Sequence, residues 1–258
     1  MFLRIVGCDG GPAPNAWCTS FLINGRLLID AGCPASRLTS KDIQGIDTVL
    51  LTHAHWDHIK ELPFLPPLHH TAASTPLIIA APLDILTIIQ KHVFIRDVWL
   101  DFSQPLDGAP PLLRYMPLAV GQPTVICGLR VTAVPGDHHV PCYGYLISDA
   151  SGTMAFTSDT GPGSALWPRL ATAPRPLALV AETSYPDGHE PRAIREGHLT
   201  PSLLNQAISS SAPFPDKIFL THLKPEFREQ VLQCVTAYPS PLWTPLTNND
   251  GISWPEPN

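Results

Sequence analysis

The densest chemistry in the chain is Thr52-His53-Ala54-His55-Trp56-Asp57-His58, which follows the apolar run Val49-Leu50-Leu51 without a break. His53, His55, Asp57 and His58 can all bind a metal. In extended backbone alternate residues share a face, so His53 and His55 can point at one site. Asp57 and His58, where the chain turns, can reach a second. A single histidine is ordinarily a surface or packing residue; four potential ligands at this spacing point to metal. Imidazole and carboxylate donors suit zinc, whose catalytic sites keep one position open for water, and the same donors accept Mn²⁺ or Fe.

Four residues cannot complete two such shells, so further ligands must come from elsewhere. His138 after Val131–Val134, Asp159 after Met154–Thr157 and His222 after Ile218–Thr221 each end an apolar run. That is where open α/β sheets build their sites. Singly each reads as a turn residue; with the first four they are enough for two divalent metal ions per chain.

These positions need strands behind them. Runs rich in Leu and β-branched residues, bounded by Gly, Pro, Asp or Asn, predict strands at Phe2–Val6, Ser20–Asn24, Arg26–Asp30, Thr48–Thr52, Leu77–Ala80, Thr124–Val134, Tyr143–Ser148, Thr153–Thr157, Leu177–Ala181 and Lys217–Thr221. Asn24-Gly25 between two apolar runs predicts a hairpin turn. Helices are predicted at Leu83–Phe94, Pro201–Ser209 and Pro225–Tyr238. Strand sets each followed by helices describe a layered α/β domain. The 30 prolines fall mostly between apolar runs, at Pro63–Pro67, Pro105–Pro117 and Pro239–Pro257, as in many short elements joined by loops. The expected organisation is one domain over residues 1–238 and an irregular, Pro-rich tail over 239–258.

The chain has 258 residues and a formal net charge of −6, from 16 Lys+Arg against 22 Asp+Glu. That balance argues against a nucleic-acid partner, which calls for a basic surplus, but leaves room for a small anionic substrate held by metal. The apolar stretches Thr48–Leu51 and Leu77–Ala81 fall far short of the roughly 20 residues of a membrane span. Met1 leads straight into a strand-like run with no signal-peptide pattern, so a soluble, cytoplasmic protein without membrane contact is expected. The 6 cysteines form no C-x-x-C pair and are expected to be free thiols.

Thr52–His58 resembles the H-x-H-x-D-H signature of the metallo-β-lactamase fold, a superfamily-wide element that says little about substrate. Other segments narrow the resemblance: Gly7-Cys8-Asp9-Gly10-Gly11, Ile29-Asp30-Ala31-Gly32, His138-His139-Val140-Pro141, Ser158-Asp159-Thr160-Gly161-Pro162, Ala181-Glu182-Thr183-Ser184-Tyr185-Pro186, Gly197-His198-Leu199-Thr200-Pro201 and Thr221-His222-Leu223-Lys224-Pro225. This series, from Phe2 to Pro225, is similar to the class II 3′,5′-cyclic-nucleotide phosphodiesterases and, more distantly, to the tRNA 3′-processing endonucleases. The E-T-S-Y-P and G-H-L-T-P pair is the more specific part.

The resemblance implies a four-layer αββα metallo-β-lactamase sandwich. It implies that His53, His55 and His138 bind one metal, that Asp57, His58 and His222 bind the other, and that Asp159 bridges them. It favours His138 because relatives place the ligand five residues before the aromatic of a Y-G-Y-like strand, here Tyr143; His139 is the alternative. The implied reaction is attack of a metal-activated water on a cyclic nucleotide such as cAMP or cGMP, with His198 as general acid. Glu182 is then its carboxylate partner, and Asp57 also orients the water. Without the resemblance, Glu182 reads as a strand-end acid and His198 as a helix-entry residue. Asp9 stands where the family usually has Ser, and Cys33-Pro34 where Thr-Gly is usual, which puts substrate preference in question.

His69, His70, His92 and His189 read as non-ligands, the first two in a Pro-rich loop; His92 is also weighed as a residue of the substrate mouth. The aromatic stretch His92–Phe102 reads as core or as a homodimer contact, with base stacking by Trp99 or Phe102 a weaker alternative. The rival activities are a tRNA-processing nuclease and a lactonase- or β-lactamase-like hydrolase of the same fold. A metal-binding scaffold without catalysis is the rival from another class.

Overall fold

The computed structural model describes residues 1–70, 75–105, 108–209, 213–238 and 242–255. Asn24 and Gly25 both take positive φ, 51° and 69°, the left-handed backbone that these two residue types adopt most readily in a hairpin turn. The strands on either side pair antiparallel, with Ile23 opposite Leu27. This hairpin sits in a sheet built from β1 (Phe2–Gly7), β2 (Ser20–Ile23), β3 (Leu27–Ile29), β4 (Thr48–Leu50), β5 (Leu77–Ala81) and β6 (Leu113–Pro117) in chain order. A second sheet runs through β7 (Pro123–Ile126), β8 (Leu129–Pro135), β9 (Tyr143–Asp149), β10 (Gly152–Phe156), β11 (Leu177–Glu182), β12 (Lys217–Thr221) and β13 (Trp243–Pro245). A last strand, β14 (Gly251–Ser253), returns to the first sheet beside β1.

Each sheet has an antiparallel half and a parallel half: β3 to β6 are parallel in the first, and β10 to β13 in the second. Parallel neighbours require crossovers, which place helices on a sheet's outer face. Side chains alternate accordingly. Leu27, Ile29 and Leu50 face inward, meeting Tyr145, Phe156 and Val180 of the other sheet. Leu28, Val49 and Leu51 face outward and pack with Ile85 and Ile89 of the helix Leu83–His92. On the far side Leu179 and Leu220 pack with Leu204 and Ile208 of the helix Pro201–Ser209 and with Val231 of the helix Arg228–Val235. The result is helix, sheet, sheet, helix, the four-layer sandwich expected.

Three sequence expectations give way. Thr124–Val134 is not one strand but the hairpin β7–β8, turned at Cys127 and Gly128, with φ of 52° and 78°. A run of strand formers masks such a turn when no Asn or Asp marks it. His69 and His70 lie not in a loop but in the last turn of the helix Leu65–His70, whose Pro66 and Pro67 fall in the first turn, where the missing N–H costs nothing. Nor is the segment after Tyr238 irregular: its described residues supply β13 and β14, one to each sheet, anchored by the buried Trp243 and Trp254. Residues 239–241 and 256–258 lie outside the described ones. All six cysteines are free thiols. Among the described residues no helix is long and apolar enough to cross a membrane.

Trp254 joins the core between the sheets, its indole donates to the Pro176 carbonyl at 3.3 Å, and its own carbonyl accepts from the N-terminal ammonium at 2.7 Å. Removing a buried aromatic of this size costs about 3–5 kcal/mol. Trp254→Ala should therefore lower stability by that amount in urea denaturation. A loss under about 1 kcal/mol would show that the C-terminal strand is only laid against the fold.

Candidate metal centre

The parallel strands deliver their C-terminal ends to one rim of the sandwich. Thr52–His58 follows β4, Asp159 follows β10, Glu182 ends β11 and His222 follows β12. His138 comes from the β8–β9 connection. At these ends the backbone bends sharply: Asp30, Ser158 and His222 take φ of 56°, 56° and 57°, a left-handed conformation costing roughly 1–2 kcal/mol for a residue with a Cβ. Strain of this kind concentrates at functional sites. The fit is close elsewhere too. Gly197 has φ of 65°, and a Cβ there would lie 2.7 Å from Nδ1 of His138.

The structure brings all seven predicted ligands together. His53, His55, His138 and Asp159 offer donor atoms within 4.8 Å of one another, and so do Asp57, His58 and His222. Asp159 stands between the groups: Oδ2 is 3.6 Å from His53 Nε2, and Oδ1 is 3.4 Å from His58 Nε2 and 3.3 Å from His222 Nε2. Asp57 Oδ2 lies 3.3 Å from His222 Nε2. Nδ1 of His55 faces Nε2 of His138 at 3.3 Å. A third such group sets His198 with Asp159 and His222, and His139, the alternative, is exposed and belongs to none of the three.

Four of the imidazoles use Nδ1 outward. His58 donates to the buried Asp30 at 2.7 Å, and His138 to the Gly197 carbonyl at 2.9 Å. The Thr52 hydroxyl donates to Asp30 at 2.7 Å, so at 3.0 Å from His53 Nδ1 it can only accept there. The Ser184 hydroxyl likewise donates to Glu182 at 2.9 Å and accepts from His222 at 3.0 Å. With each proton fixed on Nδ1, the Nε2 lone pairs point at the centre, the arrangement of metal-bound histidine. His53 Nε2, His58 Nε2 and Asp159 Oδ1 are buried without a hydrogen-bond partner. Such orphans are rare, and this donor set fits divalent metal. Asp30 and Ser184, which orient ligands without being ligands, escape sequence reasoning; their signal is a polar residue at a strand end beside a ligand-bearing one.

The electrostatics agree. Burial opposes a charge on Asp159, yet His222 and His58 outweigh it and hold the carboxyl well below the usual range. Asp57 is lowered in the same way, against its burial, by His222 and His58. Burial drives His53 well below the ordinary imidazole range and lowers His55 and His138 less. His58 is raised, Asp159 and Asp30 overcoming its burial. Two carboxylates thus sit in a nest of imidazoles and call for positive charge among them, which protonated imidazole or a divalent cation supplies.

Beside this cluster, His198 Nδ1 donates to Glu182 Oε1 at 3.1 Å. Burial disfavours the charged imidazole, but Glu182 more than restores it, raising the His198 pKa. Glu182 is itself held by backbone N–H groups of Thr160, Ser184 and Leu199 at 3.3, 2.9 and 3.0 Å. The His198 ring stacks 5.6 Å from that of His222. The pair thus stands at the edge of the cluster with the carboxylate fixed from behind.

The remaining expectations resolve plainly. Asp9 accepts from Trp17 N, Asn248 Nδ2 and Arg228 Nη1 at 2.8, 2.9 and 3.0 Å, tying three segments together with its oxygens occupied. Cys33 is buried and donates to the Cys18 carbonyl. His92 is exposed, His69 buried, and the His189 ring packs on Phe227 at 5.3 Å. In the aromatic stretch Phe94 and Phe102 are core, Trp99 donates to the Pro63 carbonyl at 3.0 Å, and Val98 and Leu100 are exposed.

Comparison with known proteins follows the same lines. A probable 3′,5′-cyclic-nucleotide phosphodiesterase of Yersinia pestis is 24% identical over 211 residues, covering 72% of this chain and 59% of that protein. A ribonuclease Z of Clostridium beijerinckii is 28% identical over 151 residues, 55% of this chain and 47% of that protein. The chain thus spans about half the length of these curated relatives. Among solved structures, unliganded yeast PDE1 superposes with a TM-score of 0.79 at 16% identity, covering 97% of this chain and 98% of that one. The metallo-beta-lactamase fold protein YhfI from Bacillus subtilis gives 0.78 at 19%, with the same coverage. Both likenesses are of fold. The family model of the beta-lactamase superfamily domain matches residues 25–223, a span that holds every predicted ligand and the Glu182–His198 pair, and the chain belongs to that superfamily in its metallo-β-lactamase form.

Proposed function

We propose that the protein is a dinuclear metal-dependent phosphodiesterase that hydrolyses a 3′,5′-cyclic nucleotide, cAMP or cGMP, to the 5′-monophosphate. The observation that carries this reading is the Glu182–His198 pair at the rim of the seven-ligand cluster. A hydrolase whose leaving group departs without help has no need of a carboxylate-backed imidazole there; a sugar alkoxide needs a proton as its P–O bond breaks. His53, His55 and His138 would hold one ion, Asp57, His58 and His222 the other, and Asp159 both. Zinc suits the donors, with Mn or Fe as alternatives. Such ions supply Lewis-acid stabilisation of the phosphoryl oxygens and a water acidic enough to attack phosphorus.

The chain's own groups do the rest. Glu182 keeps the His198 proton on Nδ1 and favours the charged ring, so that Nε2 can give its proton to the departing 3′-oxygen. Asp57 is the more open of the two acids, its side chain 24% exposed against 3% for Asp159, and it can orient the attacking water as well as bind. A small substrate is supported by the charge of −6 and by Lys and Arg that are nowhere adjacent in sequence. Two cations near the site are already engaged, Lys224 with Tyr185 and Glu196 and Arg228 with Asp9. The free thiols support a cytoplasmic setting. Several relatives are named ribonuclease Z, so tRNA 3′ processing is the second reading. Turnover of cyclic nucleotides, pre-tRNA and nitrocefin by the metal-loaded protein separates the readings. Cleavage of pre-tRNA with no cyclic-nucleotide hydrolysis would replace the first by the second.

The metal assignment predicts two ions per chain by elemental analysis, with Asp159→Ala losing at least one. His138→Ala should lose metal and His139→Ala retain it. Asp30→Asn should weaken affinity by about 10–100-fold, the usual effect of losing an orienting partner. At most one ion in fully reconstituted protein would rule out the dinuclear centre.

The acid assignment predicts that His198→Ala keeps both metals and loses rate according to leaving group. Cyclic-nucleotide turnover should fall by roughly 10²–10⁴-fold, the span of a positioned proton transfer, while bis-p-nitrophenyl phosphate, whose leaving group is stable as an anion, is hurt much less. Glu182→Gln should show the same pattern more mildly. Equal losses on the two substrates would remove His198 from the acid role.

A further inference from the structure

Behind the acid pair lies a second charged cluster that the reaction does not use directly. Lys224 Nζ donates to Tyr185 Oη at 2.7 Å and lies 3.5 Å from Glu196 Oε2. Tyr185 Oη in turn donates to Glu196 Oε2. Arg192 Nε holds the other oxygen of Glu196 at 2.9 Å, and its guanidinium lies over the Tyr185 ring at 5.1 Å. Tyr185 is fully buried although its hydroxyl meets two charged groups.

Position in sequence gives the cluster its meaning. Tyr185 is three residues past Glu182, Glu196 two before His198, and Lys224 two past His222. Each comes from a different loop, and each loop carries one member of the rim constellation. The short segment Glu196-Gly197-His198 is held at three points. Gly197 accepts from the ligand His138 at 2.9 Å, His198 donates to Glu182 at 3.1 Å, and Glu196 is drawn to Tyr185, Lys224 and Arg192. The first two ties run to the predicted ligand His138 and to the acid's partner Glu182; the third runs to a separate charged cluster. Gly197, at φ of 65°, is the pivot between them.

We infer that Tyr185, Glu196 and Lys224 form a clamp that sets the distance between the His198 proton and the leaving oxygen, making them positioning residues for the acid. The clamp rests on the acid reading of His198. It lets the acid ride on a loop apart from the metal ligands yet hold its place to within a fraction of an ångström. Misplacing a reacting group by about 1 Å can cost 10²-fold in rate, so a loosened clamp should cost about tenfold.

The test is Tyr185→Phe, which removes the hydroxyl and keeps the ring, with Glu196→Gln as a half-exposed second variant and Lys224→Arg as the conservative one. All are assayed with metal-loaded protein on a cyclic nucleotide and on bis-p-nitrophenyl phosphate. Expected for Tyr185→Phe and Glu196→Gln are full metal content, a roughly tenfold fall in cyclic-nucleotide kcat with KM within about twofold, and p-nitrophenyl diester kcat within about twofold. Lys224→Arg should retain most of the rate. No loss on either substrate, or equal losses on both, overturns the clamp. His198→Ala run alongside tells the two failures apart. If its loss depends on the leaving group and that of Tyr185→Phe does not, the clamp is wrong and the acid stands; if neither does, the acid reading fails as well.

Discussion

Asp159 is the constraint around which the rest is arranged. Its carboxylate is almost wholly buried, with His53, His58 and His222 at 3.6, 3.4 and 3.3 Å. An isolated charge in such a place is far too costly to persist. It is held by counter-charge on the imidazoles or by metal in their place, and both solutions require the three rings to converge on one point. His53 and His58 come from the end of β4 in the first sheet and His222 from the end of β12 in the second. The sandwich must therefore close with its strand ends in register before the site exists, and the left-handed backbone at Ser158 and His222 is what aligning them costs.

The same logic extends outward. Asp30, at the end of β3, accepts from the backbone and hydroxyl of Thr52 and from His58. One carboxylate thus fixes the start and finish of the Thr52–His58 segment. Glu182 does the equivalent for the second sheet, collecting N–H groups from the loops after β10 and β11 and from Leu199. Each half of the molecule has one buried acid that binds no metal in the proposed scheme and sets the loops that do the chemistry. A buried carboxylate that no metal neutralises is stabilised by hydrogen bonds of this kind.

Much of this was legible in the sequence because the ligands sit at strand ends, and strand ends are marked by a change from apolar to polar. His53, His55, Asp57, His58, Asp159 and His222 all stand out in that way, and the structure gathers them. His138 stood out less, since His139 is adjacent; what separates them is the hydrogen bond from Nδ1 to the Gly197 carbonyl, 59 residues along the chain and invisible to local pattern. The resemblance to the family carried the pairing of Glu182 with His198, which no spacing rule supplies. Elements fixed by tertiary packing were the least legible. The strands of the proline-rich C-terminus form because Trp243 and Trp254 find buried places in the two sheets, and the turn at Cys127-Gly128 carries a thiol where Asn or Asp would have announced it.

The departures Asp9 and Cys33 show why a substitution near a site need not alter its chemistry. Asp9 replaces a neutral residue of the family pattern with an acid, which beside a metal centre would be expected to repel an anionic substrate. Its oxygens instead hold Arg228, Asn248 and Trp17, so the charge is compensated by the helix Arg228–Val235 and used to fasten the C-terminal segment over the first loop. Cys33 buries its thiol against the Cys18 carbonyl. Substrate preference therefore has to be sought in side chains that remain free at the rim. Trp56 is one, 64% exposed between the inward-facing His55 and Asp57.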